Sequence, residues 1–342
     1  MKIIAAMSGG VDSAVAAARA VEAGHEVIGV HLALASNPQK YRSGARGCCT
    51  IEDSHDARRA ADKIGIPFYI WDMAEEFHEG VVENFLAEYA AGRTPNPCLR
   101  CNEKIKFAAV LDRAKAMGFD GVVTGHYART QIGPMGKTLH RAVDPLKDQS
   151  YVLHMLTSST LEHVMFPLGT ISKPEVRQIA ADLGLKTAFK KDSQDICFVG
   201  KKNYRNFVDK RIDISTSGEI VNSDGSSMGQ HSGVHEFTVG QRKGIPGGQG
   251  TPKYVTKIDV RNKKVFVGDK KDLLTASFYL EDVSFVNDIV NDNLTIQTRY
   301  NSEDLPSMIE MLSEHSLEVT LLEPTYGVAP GQFGVLYTGT KL

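Results

Sequence analysis

The sequence has no run of the roughly 18 consecutive apolar residues that a membrane-spanning helix requires, which excludes an integral helical membrane protein. Tryptophan is nearly absent, with one, and cysteine is scarce, with five among 342 residues. So few cysteines, odd in number, exclude a disulfide framework and fit reduced thiols whose chemistry depends on local context. Net charge is small as well, with 39 Lys and Arg against 41 Asp and Glu. The opening apolar stretch at 2–7 breaks at Ser8-Gly9-Gly10, shorter than the ~7 to 15 residues of a signal-peptide core. The expectation is a cytoplasmic monomer with no membrane partner.

Core material is ample, since hydrophobic residues make up 42% and charged residues 23%. A chain of this length exceeds the roughly 100 to 200 residues of one domain, so two or three domains are expected. The small net charge hides strong segregation. Residues 186–211 carry eight Lys/Arg against three Asp/Glu, 241–271 carry nine against two, and 272–342 carry two against eleven. A basic middle of this kind can present a positive stripe to a polyanion, or can be an ordinary solvated face.

The first half alternates short apolar runs with helical stretches, the pattern of a doubly wound parallel sheet. Strands are expected at 2–7, 26–32, 67–72 and 121–124, and helices at 12–23, 54–64, 75–90 and 101–117. Beyond about residue 200 helical periodicity fades, Gly, Ser and Asp cluster at 215–233, and 244–250 is rich in Gly and Pro. Short β-rich runs recur at 254–258, 264–267, 294–298, 317–322 and 334–337, as in a small β-barrel or sandwich. The expected division is 1–205, a nucleotide-binding α/β domain; 206–268, a small central domain; and 269–342, a C-terminal β-barrel.

The strongest chemical signal is Ser8-Gly9-Gly10-Val11-Asp12-Ser13, between the first strand and the first helix. Doubly wound folds bind ligands at this edge of the sheet. Two glycines admit a close ligand, two serines add hydroxyls, and the helix N-terminus offers unpaired N–H groups to a phosphate. Asp12 would repel a bare phosphate, so its presence points to a bridging Mg²⁺ ion; the plainer reading is a helix N-cap. Gly136-Lys137-Thr138 does not complete a Walker A loop, because Gln131 stands where that loop needs its first glycine.

The Ser8–Ser13 string resembles the PP-loop of ATP pyrophosphatases, which cleave ATP between the α- and β-phosphates. Two thiols stand out beside it. In Thr94-Pro95-Asn96-Pro97-Cys98-Leu99-Arg100-Cys101-Asn102 the prolines lead into Cys101 near the expected start of a helix, with Arg100 and Lys104 close by, a setting that favours thiolate. Cys197 lies in a similarly basic stretch. Each alone is better read as an inert buried thiol; beside the phosphate loop the reactive reading takes precedence.

With these segments, Thr124-Gly125-His126-Tyr127-Ala128-Arg129, Lys147-Asp148-Gln149-Ser150-Tyr151, Asp192 to Phe198, Gly240-Gln241-Arg242-Lys243-Gly244, Thr298-Arg299-Tyr300 and Pro330-Gly331-Gln332, the chain resembles the bacterial tRNA-specific 2-thiouridylases over essentially its whole length. The resemblance implies ATP on Ala6, Met7, Ser8, Gly9, Gly10, Val11, Asp12, Ser13, Leu32 and Gly125, with Asp12 in a catalytic role. It implies a nucleophile at Cys101 and a persulfide carrier at Cys197. It implies tRNA contacts at Asn96, Pro97, His126, Lys147, Asp148, Gln149, Arg299, Tyr300 and Gln332. The implied substrate is wobble uridine 34 of tRNAs for Lys, Glu and Gln, with sulfur supplied by a donor protein of a persulfide relay.

Cys98 departs from many family members, which have an acidic residue there. The resulting set Cys98, Cys101 and Cys197 could hold a [4Fe–4S] cluster with one open iron, as in related thiolases, or form part of a zinc site. Cys48 and Cys49 receive no role. Two rival readings are a PP-loop synthetase or amidotransferase acting on a small molecule, which needs neither a basic middle nor paired thiols, and a non-catalytic RNA-binding protein, which does not need an intact phosphate loop.

Overall fold

The computed structural model describes residues 1–34, 51–133, 136–192, 196–199, 204–212, 217–245, 251–285 and 293–342. Cys48, Cys49 and parts of the two basic stretches lie outside the described residues.

The first strand, β1 (Lys2–Ala6), is buried along its centre and alternates between two cores, Ile3 and Ala5 facing one and Ile4 the other. Such burial on both faces is what a central parallel strand requires. Beside it run β2 (Glu26–Ala33), β3 (Phe68–Asp72), β4 (Gly121–Val123) and, after a hairpin of β5 (Ala128–Gly133) and β6 (Gly136–Arg141), β7 (Val164–Met165). Their order is β3-β2-β1-β4-β7, all parallel. Helices α1 (Val11–Glu22) and α2 (Ile51–Ile64), with the helix Lys173–Asp182, cover one face through small side chains such as Ala14, Ala17, Ala57, Ala61 and Ala180. The other face is filled by Trp71, Phe77, Phe85, Ile105, Phe198 and Phe207. The doubly wound expectation therefore holds.

The expected helix at 75–90 is three pieces, Ala74–Phe77, a π-helical turn His78–Val82, and Glu83–Ala90. That at 101–117 starts earlier: Asn96 caps a turn Pro97–Arg100, followed by π-helical Cys101–Ala109 and then Val110–Ala116. Proline at the first helical position has φ already set for a helix, so Pro97 opens this one instead of preceding it.

A second sheet has the order β10-β11-β8-β9, from β8 (Gly218–Asn222), β9 (Ser227–His231), β10 (Tyr254–Asp259) and β11 (Lys264–Gly268), around Ile220, Phe237, Val255 and Val265. The apolar runs at 254–258 and 264–267 form β10 and β11 of this sheet. The third sheet is antiparallel, β12-β15-β14-β13-β16, formed by β12 (Leu274–Glu281), β13 (Leu294–Gln297), β14 (Leu305–Ser313), β15 (Ser316–Tyr326) and β16 (Val335–Thr338). Val335 and Tyr337 of β16 share a core with Leu139, Tyr151 and Leu153 of the first unit. The Arg141 guanidinium lies 3.7 Å from the centre of the Tyr337 ring and pairs with Asp304 at 2.6 Å, fixing this junction.

Candidate active site

The chain between β1 and α1 is held tightly. Met7 donates its N–H to Val30 at 2.8 Å, and its carbonyl meets His31 Nδ1 at 2.9 Å. Gly9 has φ of +78° and packs on the Asp53 carbonyl, where any β-carbon would collide. Ser13 Oγ accepts the Ser8 N–H and donates to the Gly10 carbonyl, each at 3.1 Å. Gly125 closes the back of the loop: a β-carbon there would stand 2.6 Å from the Ser13 nitrogen. The result is a rigid turn that leads into a helix N-terminus, a preformed anion seat.

Asp12 has partners the sequence did not announce. Lys173 Nζ lies 2.7 Å from both of its oxygens, and Tyr127 Oη donates to Oδ1 at 2.7 Å. Burial, then the charge of Asp12, push the Tyr127 phenol far above its ordinary value, so it remains a donor. The same ammonium reaches Asp192 at 3.0 Å, and Asp192 also binds Lys147 at 2.8 Å and Arg177 at 3.0 Å. Burial alone would raise the Asp192 carboxyl, but hydrogen bonds and charge from Lys147 and Lys173 hold it below the ordinary carboxylate value. A second cation, Lys190, donates to the Gly9 carbonyl at 2.9 Å, to Asp53 at 2.7 Å and to Asp56 at 2.8 Å, tying the loop to α2.

Lys173 carried a readable signal. It is the first residue of a helix bracketed by Ser172 and Glu175, whose carboxylate accepts the Ser172 N–H and O–H. A lysine there opposes the helix dipole and needs an anion close by. Lys190 lay inside a basic run and could not be singled out.

The thiols separate. Cys98 is exposed in the first turn of its helix, Cys101 is buried one turn later, and Cys197 is half-buried. Cys101 and Cys197 pack into one apolar cluster that also takes Ala6 and Leu32 from the strand ends beside the loop. Cys98 instead lies within electrostatic reach of Tyr300. The cations expected to act on Cys101 are engaged: Arg100 and Lys104 pair with Glu103 at 2.8 and 3.0 Å. Among the described residues no three His, Cys, Asp or Glu side chains are grouped to hold a metal ion. Cys98 and Cys101, three residues apart in one helix, are neighbours on its surface but differ in exposure, Cys98 open to solvent and Cys101 buried.

Several residues expected to meet tRNA are engaged within the chain. His126 is buried between Phe107 and Phe166, with Nδ1 2.9 Å from Thr124 Oγ1. Burial, with the Lys106 charge, holds it well below its usual pKa. Asp148 accepts from Ala142 N at 2.8 Å and from Ser150 Oγ at 2.7 Å, and Gln149 accepts the Tyr127 N–H at 3.0 Å. Lys147 is the partner of Asp192. Asn96 caps its helix turn, accepting from Leu99 N at 3.4 Å, and Pro97 is buried. Gln332 donates to the Thr94 carbonyl at 2.5 Å, so the C-terminal unit grips the segment leading to the thiols. Arg299 and Tyr300 remain exposed on the C-terminal unit.

Comparison with known proteins covers the chain in three parts. A family profile described as a tRNA methyl transferase HUP domain matches residues 1–201, a tRNA methyl transferase PRC-barrel domain matches 205–269, and an aminomethyltransferase beta-barrel domain matches 275–342. The tRNA-specific 2-thiouridylase MnmA of Acidothermus cellulolyticus is 51% identical, over 100% of this chain and 96% of that protein. The proteins of the same name from Nocardioides sp. and Thermobifida fusca are 53% and 54% identical, over 100% and 99% of this chain and 96% and 93% of theirs.

Proposed function

This chain belongs to the MnmA family of tRNA-specific 2-thiouridylases, and from that premise we propose how its own residues divide the reaction. It is an ATP-using tRNA sulfurtransferase. The observation that carries the assignment is the shared packing of Ala6 and Leu32, next to the phosphate loop, with Cys101 and Cys197 in one cluster. That packing supports nucleotide and sulfur chemistry on the same face of the sheet.

In the first step uracil O2 attacks the α-phosphorus and pyrophosphate leaves. Met7 to Ser13 hold the phosphates through backbone N–H groups and the α1 terminus, a preorganised field of the kind that stabilises developing charge. Gly125 keeps that turn in place. The target base has to be flipped out of its stack to reach the loop. The terminal sulfur of a Cys197 persulfide then attacks C2, AMP leaves, and Cys101 attacks the Cys197 sulfur. A Cys101–Cys197 disulfide forms as the transferred sulfur is reduced to the thione level, and an external thiol restores both cysteines.

Magnesium does not fit as a resident ion on Asp12, both of whose oxygens are held by Lys173. With that ammonium in place the carboxylate no longer opposes a phosphate, so Mg²⁺ is assigned to the triphosphate itself. A metal-free thiol route is proposed in preference to the three-cysteine cluster, because no metal-holding group of His, Cys, Asp or Glu is present among the described residues. Arg299 and Tyr300 are proposed to meet the tRNA by charge and stacking. The tRNAs for Lys, Glu and Gln as substrates, and a protein persulfide donor, follow from the family. The three sheets support the division 1–205, 206–268 and 269–342, with Phe207 and Val208 still packed in the first core.

The test is to incubate the purified enzyme with unmodified tRNA, ATP, Mg²⁺ and a persulfide source. Formation of 2-thiouridine with AMP and pyrophosphate is expected. ATP–pyrophosphate exchange that ignores tRNA would point to a small-molecule synthetase instead.

A further inference from the structure

We infer that Lys173 is a shared positioning cation that couples adenylation to sulfur delivery, because one ammonium holds Asp12 of the phosphate loop and Asp192, five positions before Cys197. The inference rests on the proposed roles of the loop and of Cys197.

The placement is costly in isolation. Lys173 is only 7% exposed and sits at the positive end of its helix, where both desolvation and the dipole disfavour a cation. Its backbone is fixed as well, the N–H donating to Asp144 at 3.0 Å. What compensates is the pair of carboxylates, and they are unequally supported. Asp192 keeps Lys147 and Arg177 if Lys173 is removed, whereas Asp12 keeps only the Tyr127 hydroxyl. Among the described residues Lys173 is thus the only cation paired with Asp12.

A triphosphate seated at the α1 terminus brings several negative charges toward the same ammonium. Loop charge and Asp192 then compete for Lys173, so the occupancy of the loop is felt at Asp192, which the sequence places five positions before Cys197. When pyrophosphate departs, that competition relaxes and Asp192 regains its share. Timing matters chemically because the adenylated uridine has a competing fate. Water can attack C2, AMP leaves, and uridine is regenerated without sulfur. A Cys197 sulfur delivered promptly keeps that loss small.

The experiment counts pyrophosphate, AMP and 2-thiouridine from the full-length enzyme with unmodified tRNA, ATP, Mg²⁺, polysulfide and a thiol reductant. In the unaltered enzyme AMP and thiouridine should match; no thiouridine from it would refute the proposed function, separately from the coupling. Asp192→Asn should keep pyrophosphate release within about threefold while AMP per thiouridine rises several-fold, as expected when a reacting group is displaced by ~1 Å. Lys173→Met should slow pyrophosphate release about tenfold or more and also raise that ratio, since it removes the cation from both carboxylates. Lys173→Arg should recover part of both losses. The coupling is overturned if Asp192→Asn keeps the unaltered ratio, or if Lys173→Met changes pyrophosphate release alone. It is equally overturned if both variants lose all products in parallel with a lowered melting temperature, which would reduce the network to a folding role.

Discussion

Gly125 stands so close to the first turn of α1 that a β-carbon on it would lie 2.6 Å from the Ser13 nitrogen. The obstacle is backbone and cannot swing aside. Gly125→Ala should displace the loop and destabilise the first domain by about 1–3 kcal/mol, the usual cost of overpacking. The expected result is a lowered melting temperature together with a raised KM for ATP, and an unchanged KM would detach Gly125 from the nucleotide site.

Asp12→Ala should abolish adenylation of tRNA while leaving tRNA affinity nearly unchanged, because the proposed RNA contacts lie on other residues. Tyr127→Phe is the milder companion. It deletes only the 2.7 Å hydrogen bond to Asp12, worth about 1 kcal/mol, so adenylation should slow by roughly tenfold or less. Full adenylation by Asp12→Ala would remove the loop from the chemistry.

Much of this site could be read from the chain because its signals are local. The Ser8 to Ser13 turn sits between a short apolar strand and an alanine-rich helix, and both depend on neighbouring residues. The Lys173–Asp12 pair joins residues 161 positions apart, and no periodicity reports such a contact. The trio Lys147, Asp148 and Gln149 read as a polar loop available to RNA, yet its side chains close internal bonds. Strands were missed where the alternation of burial is weak: β14 leaves Met308, Met311 and Leu312 exposed, so its apolar residues do not mark an inward face. Strand β6 of the hairpin is joined by the last residues of the chain, His140 bridging Lys341 and the Leu139 carbonyl accepting from Leu342 N, contacts its own sequence does not encode.

Stability should fall on mild acidification. His126 is held neutral by burial, well below its ordinary value of 6.5, whereas the unfolded chain protonates it near that value. The unfolded state therefore binds more protons below about pH 6.5, and stability drops there by up to about 1.4 kcal/mol per pH unit for each such histidine. Denaturant unfolding at pH 7.5 and 5.5 measures this difference, and His126→Gln should shrink it. An identical difference in the variant would place the titrating group elsewhere.

Binding of tRNA should weaken steeply with salt, since each phosphate contact adds about -0.9 to the log–log slope on duplex and about -0.7 on single strands. Arg242 and Lys243 are exposed in the central unit, while other cations there are paired, Lys253 with Asp269 and Lys264 with Glu219. Replacing Arg242 or Lys243 by alanine should each reduce the slope by about 1. A slope unmoved by both would return this surface to the role of a solvated face.

Cys98 offers the sharpest separation between sulfur routes. It is exposed in the first turn of its helix, on the side of Tyr300, whereas Cys101 is buried with the cluster that includes Cys197. An aspartate in a first helical turn is favoured by the dipole, so Cys98→Asp should fold and should thiolate tRNA within about threefold of the unaltered enzyme, an effect of under ~1 kcal/mol. Cys101→Ser and Cys197→Ser should adenylate tRNA but make no 2-thiouridine. Enzyme purified and reconstituted without oxygen should carry far fewer than the about four irons of a [4Fe–4S] cluster and lack its broad absorbance near ~400 nm. Thiolation that requires stoichiometric iron and is lost in Cys98→Asp would overturn the metal-free route, because that pattern demands Cys98 as a ligand beside Cys101.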